Sequence, residues 1–197
     1  MKLYVSIIGI AMLAIASVNI VFETASVHYI IIAVIWCVAL QFALDGLLAI
    51  SINKMPDKWF GVDNNLYRVT ENEIRFYKKL GVRSWKDKVW ELGWLGGFSK
   101  KKLKEPNNPS YVERFIVECN KGVMTHRLSY PIGFLAMLTL SNGCALTIAL
   151  PVAAVNLFLN VLPTIVLRYN TPMLKKVLKR LEKKHGVENL ADNLENS

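Results

Sequence analysis

The sequence predicts an all-α integral membrane protein: about four transmembrane helices, a mostly helical cytoplasmic insert and a basic amphipathic C-terminal helix. Three observations carry that expectation. Hydrophobic residues make up 53% of the 197 and come in blocks, and a mean hydropathy of +0.30 is high for a soluble domain. The Lys and Arg residues behind the net charge of +9 flank the apolar blocks instead of forming a domain of their own. That pattern fits membrane-surface electrostatics and argues against nucleic acid as the partner. Cys37, Cys119 and Cys144 show no Cys-x-x-Cys spacing, so neither a disulfide framework nor a metal site is expected.

Residues 1–52 read as a transmembrane hairpin. The run 3–22 carries no charge and is long enough, at about 1.5 Å per residue, to cross a hydrocarbon core of roughly 30 Å. A cleaved leader is the rival reading, but the run is long for one and Glu23-Thr24-Ala25-Ser26 is a poor cleavage site. The second span, 27–52, is interrupted by Gln41 and Asp45. Asp45 reads equally as a partnered functional carboxylate or as a helix-packing contact.

Residues 53–121 form a polar insert with 15 Lys/Arg against 9 Asp/Glu. Near its end, Ser110 and Glu113 make a capping-box pattern with Pro109 just outside, so a helix is expected to start there. Val112, Phe115, Ile116 and Cys119 recur on one face of it, which makes core packing the expected role of Cys119. Residues 122–170 read as a second hairpin, with spans 123–140 and 144–167 joined at Asn142-Gly143. In the last part, 171–197, Met173, Leu174, Val177, Leu178 and Leu181 share a face surrounded by Lys and Arg, the pattern of an interfacial helix. The short links 23–26 and 141–143 contain no Lys or Arg, so both termini and the insert are expected in the cytoplasm of a multi-pass cell-membrane protein. Trp59, Trp85, Trp90 and Trp94 suit an interfacial belt.

Four polar clusters are expected at the cytoplasmic face: Met55–Phe60, Val82–Lys86, Glu118–His126 and Arg168–Asn170. His126 is the histidine placed to act as a general base there. Its structural alternative is a hydrogen bond to a headgroup or a carbonyl, such as that of Arg127, which Pro131 leaves open. Glu118 would orient the imidazole only if the helix breaks at Gly122, since eight helical residues span about 12 Å; otherwise an Arg114–Glu118 pair is expected. Arg83, Lys86, Arg168 and the Lys100–Lys102 run are candidates for donor phosphates or for anionic lipid. Asn160 reads as a contact between helices. No Gly-x-Ser-x-Gly, Walker loop or dinucleotide fingerprint is present.

In their order these clusters resemble the glycosyl-4,4'-diaponeurosporenoate acyltransferase family of staphyloxanthin-type carotenoid biosynthesis. The resembling stretches are Pro56-Asp-Lys-Trp-Phe60, Val82-Arg-Ser-Trp-Lys86, Glu118 followed eight residues later by His126, and Asn160 followed by Arg168-Tyr-Asn170. Val123 and Arg127 stand where that family commonly has a second Glu and an aromatic residue. The resemblance implies an O-acyltransferase moving a fatty acyl group from acyl-CoA or acyl-carrier protein to a sugar hydroxyl of a lipid-embedded glycosylated acceptor. It implies His126 and Glu118 as catalytic residues, and Asp57, Arg83, Trp85, Lys86, Arg168, Tyr169 and Asn170 as donor or substrate contacts. No cofactor is implied. The reading from another class is a non-enzymatic assembly or lipid-binding subunit, whose polar groups pack helices and grip headgroups.

Overall fold

A computed structural model describes residues 2–89, 98, 100, 102–140 and 143–195. Trp90, Trp94, Lys101 and Asn142 lie outside the described residues, as does the side chain of His185. Every regular element among the described residues is helical. Helices α1 (Lys2–Val21) and α2 (Val27–Asn53) form the N-terminal hairpin, close to the expected spans. Ser26 caps α2 by accepting from the Tyr29 amide. Short 3₁₀ turns at Asp57–Phe60 and Asn65–Tyr67 lead to α3 (Glu71–Lys79), capped by Thr70, and α4 (Val82–Trp85). Helix α5 (Pro109–Ile132) passes into a 3₁₀ segment (Gly133–Thr139). A π-turn (Ala145–Ala149) opens onto α6 (Leu150–Glu195).

Three helical stretches among the described residues are long and apolar enough to cross a membrane: Tyr4–Val21, Val27–Asn53 and Ala145–Lys184. They make this a membrane protein. The expected span 123–140 is not among them. Pro131 and Gly133 end the α-helical ladder there and the chain tightens into 3₁₀ geometry. The expected cap also shifts, because the side chain of Asn108 accepts from the Tyr111 amide and Pro109 takes the first helical position, which needs no N–H donor. The chain does not break after Arg168: α6 is one helix of 46 residues, and Leu174 and Leu178 are buried on it while Met173 is exposed.

The chain divides into two compact units. The first is built chiefly from Met1–Lys54 and Met124–Thr164. Its core packs Ile30, Ala33, Val34 and Cys37 of α2 against Ala136, Cys144, Ile148, Ala149 and Val152. The outer faces of α1 and α2 present Ile10, Leu13, Ile32, Ile35, Phe42 and Leu47, an apolar surface suited to lipid. Two prolines in this unit open backbone carbonyls, and α1 fills both. Pro151 has no N–H to give the Thr147 carbonyl, which accepts instead from Asn19 Nδ2 at 2.9 Å. Pro163 does the same to Leu159, whose oxygen accepts from the Tyr4 hydroxyl at 3.4 Å. Where water is scarce such carbonyls need a partner from a neighbouring helix.

The second unit is built chiefly from Met55–Asp87, the described residues up to Val123, and the chain from Ile165. Its buried side chains include Phe60, Tyr67, Val82 and the α5 face Val112, Phe115, Ile116 and Cys119. All three cysteines are buried as reduced thiols.

Candidate functional site

In the first unit, the polar residues of apolar helices meet in one hydrogen-bonded chain. His126, half-buried on α5, places Nδ1 2.7 Å from Asn160 Oδ1 on α6. Asn160 is buried, and its Nδ2 donates to Asp45 Oδ2 of α2 at 3.2 Å and to the carbonyl and side-chain oxygens of Asn156, each at 3.1 Å. Asn156 Nδ2 donates to Gln41 Oε1 at 2.8 Å, and Gln41 Nε2 donates to the Gly133 carbonyl. Tyr130 closes the chain from the other side by donating to Thr164 Oγ1 at 2.9 Å, which in turn donates to the Asn160 carbonyl at 3.0 Å. Position 133 is a close approach: a Cβ there would lie 3.0 Å from Gln41 Oε1 and 3.1 Å from Asn156 Nδ2, so those two amides would have to shift.

The second unit holds two ionic clusters. Arg168 is buried and grips Glu73 of α3 through Nε and through Nη2 at 2.7 Å, while Nη2 also donates to the Arg68 carbonyl at 3.0 Å. The Tyr77 hydroxyl donates to the same carboxylate. Burial alone would raise the Glu73 pKa, but the hydrogen bonds from Arg168 and Tyr77 outweigh it and hold the carboxyl below its usual range. Burial first, and then the Glu73 anion, push the Tyr77 phenol up to about 12. In the other cluster Lys121, also buried, lies 2.5 Å from Asp57 Oδ1 and 3.7 Å from Glu118 Oε1, with Nζ 5.8 Å from the centre of the Phe60 ring. The neighbouring Asn120 donates to the Phe60 carbonyl at 2.9 Å. A cavity of about 360 Å³ is lined in part by Asn64, Arg68, Thr171 and Lys175.

The expected site residues therefore fall into different company. Glu118 and His126 share α5, but the helix runs through Gly122 without the break a dyad requires. Asn160 takes the place at the imidazole, and Glu118 serves Lys121 together with Asp57. Gly122 is instead a close-packing site, where a Cβ would come within 2.9 Å of Leu167 Cδ1. The charge of Arg168 is matched by Glu73, while Tyr169 and Asn170 are half-buried beside it. Arg83 is exposed; Trp85 and Lys86 are half-buried, and Trp85 Nε1 donates to the Leu80 carbonyl at 3.1 Å. Sequence reasoning did not assign Gln41, Asn156, Glu73 or Lys121 to a site. For the first two a signal existed: Gln41 and Asp45, and likewise Asn156, Asn160 and Thr164, recur every four residues on otherwise apolar helices.

Comparison with known proteins gives this geometry a context. No curated protein and no solved structure matches the chain. The model of one family, glycosyl-4,4'-diaponeurosporenoate acyltransferase, matches residues 56–180, well over half of the chain. His126, Asn156, Asn160 and Arg168 lie inside the match; Gln41 and Asp45 lie upstream of it. By the extent of that match the chain belongs to the glycosyl-4,4'-diaponeurosporenoate acyltransferase family and is an acyltransferase of carotenoid glycoside biosynthesis.

Proposed function

We propose that the protein is an O-acyltransferase that moves a fatty acyl group from a cytoplasmic thioester donor, acyl-CoA or acyl-carrier protein, to a sugar hydroxyl of a carotenoid glycoside or related glycolipid. His126 is the general base. The observation that carries this reading is the 2.7 Å contact between His126 Nδ1 and Asn160 Oδ1 in helices of a membrane protein. An amide oxygen facing Nδ1 selects the imidazole tautomer with the proton on that nitrogen and the lone pair on Nε2. The acceptor hydroxyl gives its proton to Nε2 as its oxygen attacks the thioester carbonyl carbon. Collapse of the tetrahedral intermediate breaks the carbon–sulfur bond, and the imidazolium returns the proton to the departing thiolate.

Donor phosphates are assigned to Arg83 and Lys86, with Trp85, Tyr169 and Asn170 as further donor or substrate contacts. Arg168 organises this set through Glu73, and Asp57 and Glu118 act through Lys121. The topology that suits the chemistry has four spans, the fourth supplied by 123–140, with both termini and the insert in the cytoplasm of a cell-membrane protein. A soluble donor then meets an acceptor whose tail never leaves the bilayer. The test is mass spectrometry of lipid extracts from cells expressing wild type or His126→Ala at equal membrane abundance, beside cells lacking the gene. An acyl mass added to a glycolipid only with wild type, with the unacylated precursor accumulating in the other two, is expected. Wild-type product from His126→Ala would remove the histidine from the chemistry, and three identical extracts would remove the substrate assignment.

A further inference from the structure

We infer that Asp45, acting through the side chain of Asn160, is a positioning residue that fixes the tautomer of His126. The inference rests on His126 being the base. Its starting point is the direction of every hydrogen bond in the chain of side chains described above. A side-chain amide has one accepting and one donating end, and either can face a neighbour unless something forces the choice. Besides the Asn156 carbonyl one turn back, which accepts from Asn160 Nδ2 at 3.1 Å, two groups that only accept force it here.

The first is the Gly133 carbonyl. It requires the amide nitrogen of Gln41, so Gln41 Oε1 faces Asn156 and must receive Nδ2 of that residue at 2.8 Å. Asn156 Oδ1 is then left to accept from Asn160 Nδ2 at 3.1 Å. The second is the Asp45 carboxylate, which accepts from the same Asn160 nitrogen at 3.2 Å. Both anchors turn Asn160 the same way, with its oxygen toward His126. The imidazole has to meet that oxygen with an Nδ1 proton.

Asp45 is the stronger anchor. A carboxylate within a membrane helix is costly unless hydrogen-bonded. Its Oδ1 is buried with no hydrogen-bond partner among the described residues, which leaves the Asn160 amide as the hydrogen-bond donor the structure gives this carboxylate. Turning Asn160 over would set oxygen against oxygen at Asp45 and at Asn156 together. Asp45 also lies upstream of the residues that the family model matches, so the match itself says nothing of its role.

The experiment uses full-length protein labelled with ¹⁵N-histidine in detergent, wild type beside Asp45→Asn, Asp45→Ser, Asp45→Glu and His126→Gln. The chain has three histidines, and the signal lost in His126→Gln identifies that of His126. Turnover is read with glycosyl-4,4'-diaponeurosporenoate as acceptor and a long-chain acyl-CoA or acyl-carrier protein as donor, whichever supports the wild type. Wild type is expected to show the Nδ1-protonated tautomer. Asp45→Asn, which can donate as well as accept, and Asp45→Ser are expected to populate the Nε2-protonated form. Their kcat should fall at least about 100-fold with KM held within about threefold, the sign of an interaction realised in the transition state. Asp45→Glu restores the acceptor-only group and should recover the tautomer and a large part of the rate. Wild-type tautomer and kcat in both neutral variants, with His126→Gln inactive, would overturn the inference while leaving the base in place. Full activity of His126→Gln would overturn the base, and a tautomer shift in the neutral variants would then still establish the positioning. Asp45→Ser carries the test should Asp45→Asn fail to fold.

Discussion

Arg168 and Glu73 show how a residue chosen for one reason by sequence turns out to serve another. A cation just beyond an apolar run reads as a ligand for phosphate, and nothing in the linear pattern points to a carboxylate 95 positions earlier. That pairing is set by tertiary packing. Removing Glu73 would strand a guanidinium that is 5% exposed. Glu73→Ala is expected to lower stability by about 2–3 kcal/mol, discounted from the value for fully buried pairs because the carboxylate is partly solvated. A fall in the thermal midpoint in detergent checks it. The pH dependence follows from the same contact. A carboxyl held below its unfolded value binds fewer protons folded than unfolded. It contributes stability above the ordinary carboxylate range, and that contribution is lost as pH falls through the folded value. Tyr77 runs oppositely: raised from 10.0 to about 12, it contributes fully below the lower figure and loses its contribution as pH climbs between the two. Midpoints recorded across both windows for wild type and Glu73→Gln should show the acid-side slope flattened in the variant. His126, by contrast, stood out in the sequence as an imidazole beside an apolar run, and the structure adds its hydrogen bond to Asn160. Its partner was half legible: Asn160 stood out as a polar interruption, but the sequence does not say which helix it faces.

At the scale of elements, hydropathy and length located α1 and α2 to within about two residues, since two long apolar runs separated by a short polar link leave few alternatives. The prolines were harder. Pro163 and Pro172 suggest interruptions, yet α6 runs through both. In the first unit the reason is visible, because α1 supplies from its side the hydrogen bonds the prolines withhold. Tyr4→Phe and Asn19→Ala are each expected to cost about 1 kcal/mol, the worth of one hydrogen bond, and somewhat more for Asn19, which is fully buried. Denaturation of the detergent-solubilised variants measures both. Gly133→Ala is expected to cost about 1–3 kcal/mol by forcing Gln41 and Asn156 apart. It should also weaken catalysis without touching substrate, so its kcat is the reading to compare with that of Asp45→Asn. A glycine in the middle of an apolar segment announces none of this; only the two amides crowding its missing side chain do.

For the whole molecule, the boundary of the family match matters more than its content. It begins at residue 56, so the matched stretch holds His126 and its amide partner Asn160 but not Gln41 and Asp45, the two α2 residues bonded into the same chain of side chains. Nor does it hold Tyr4 and Asn19. A chain cut down to begin at Met55 is therefore expected to acylate nothing, even with every family motif intact. Supplying residues 1–54 as a separate polypeptide in the same cell should restore part of the product, because what the missing piece provides is a set of lateral hydrogen bonds and not a covalent tether. Acylated glycolipid in extracts of cells carrying both fragments, and in neither alone, is the expected result. The α1–α2 hairpin then acts less as an anchor than as a subunit that happens to be fused. Its removal and return is a switch that leaves every residue of the family motif untouched.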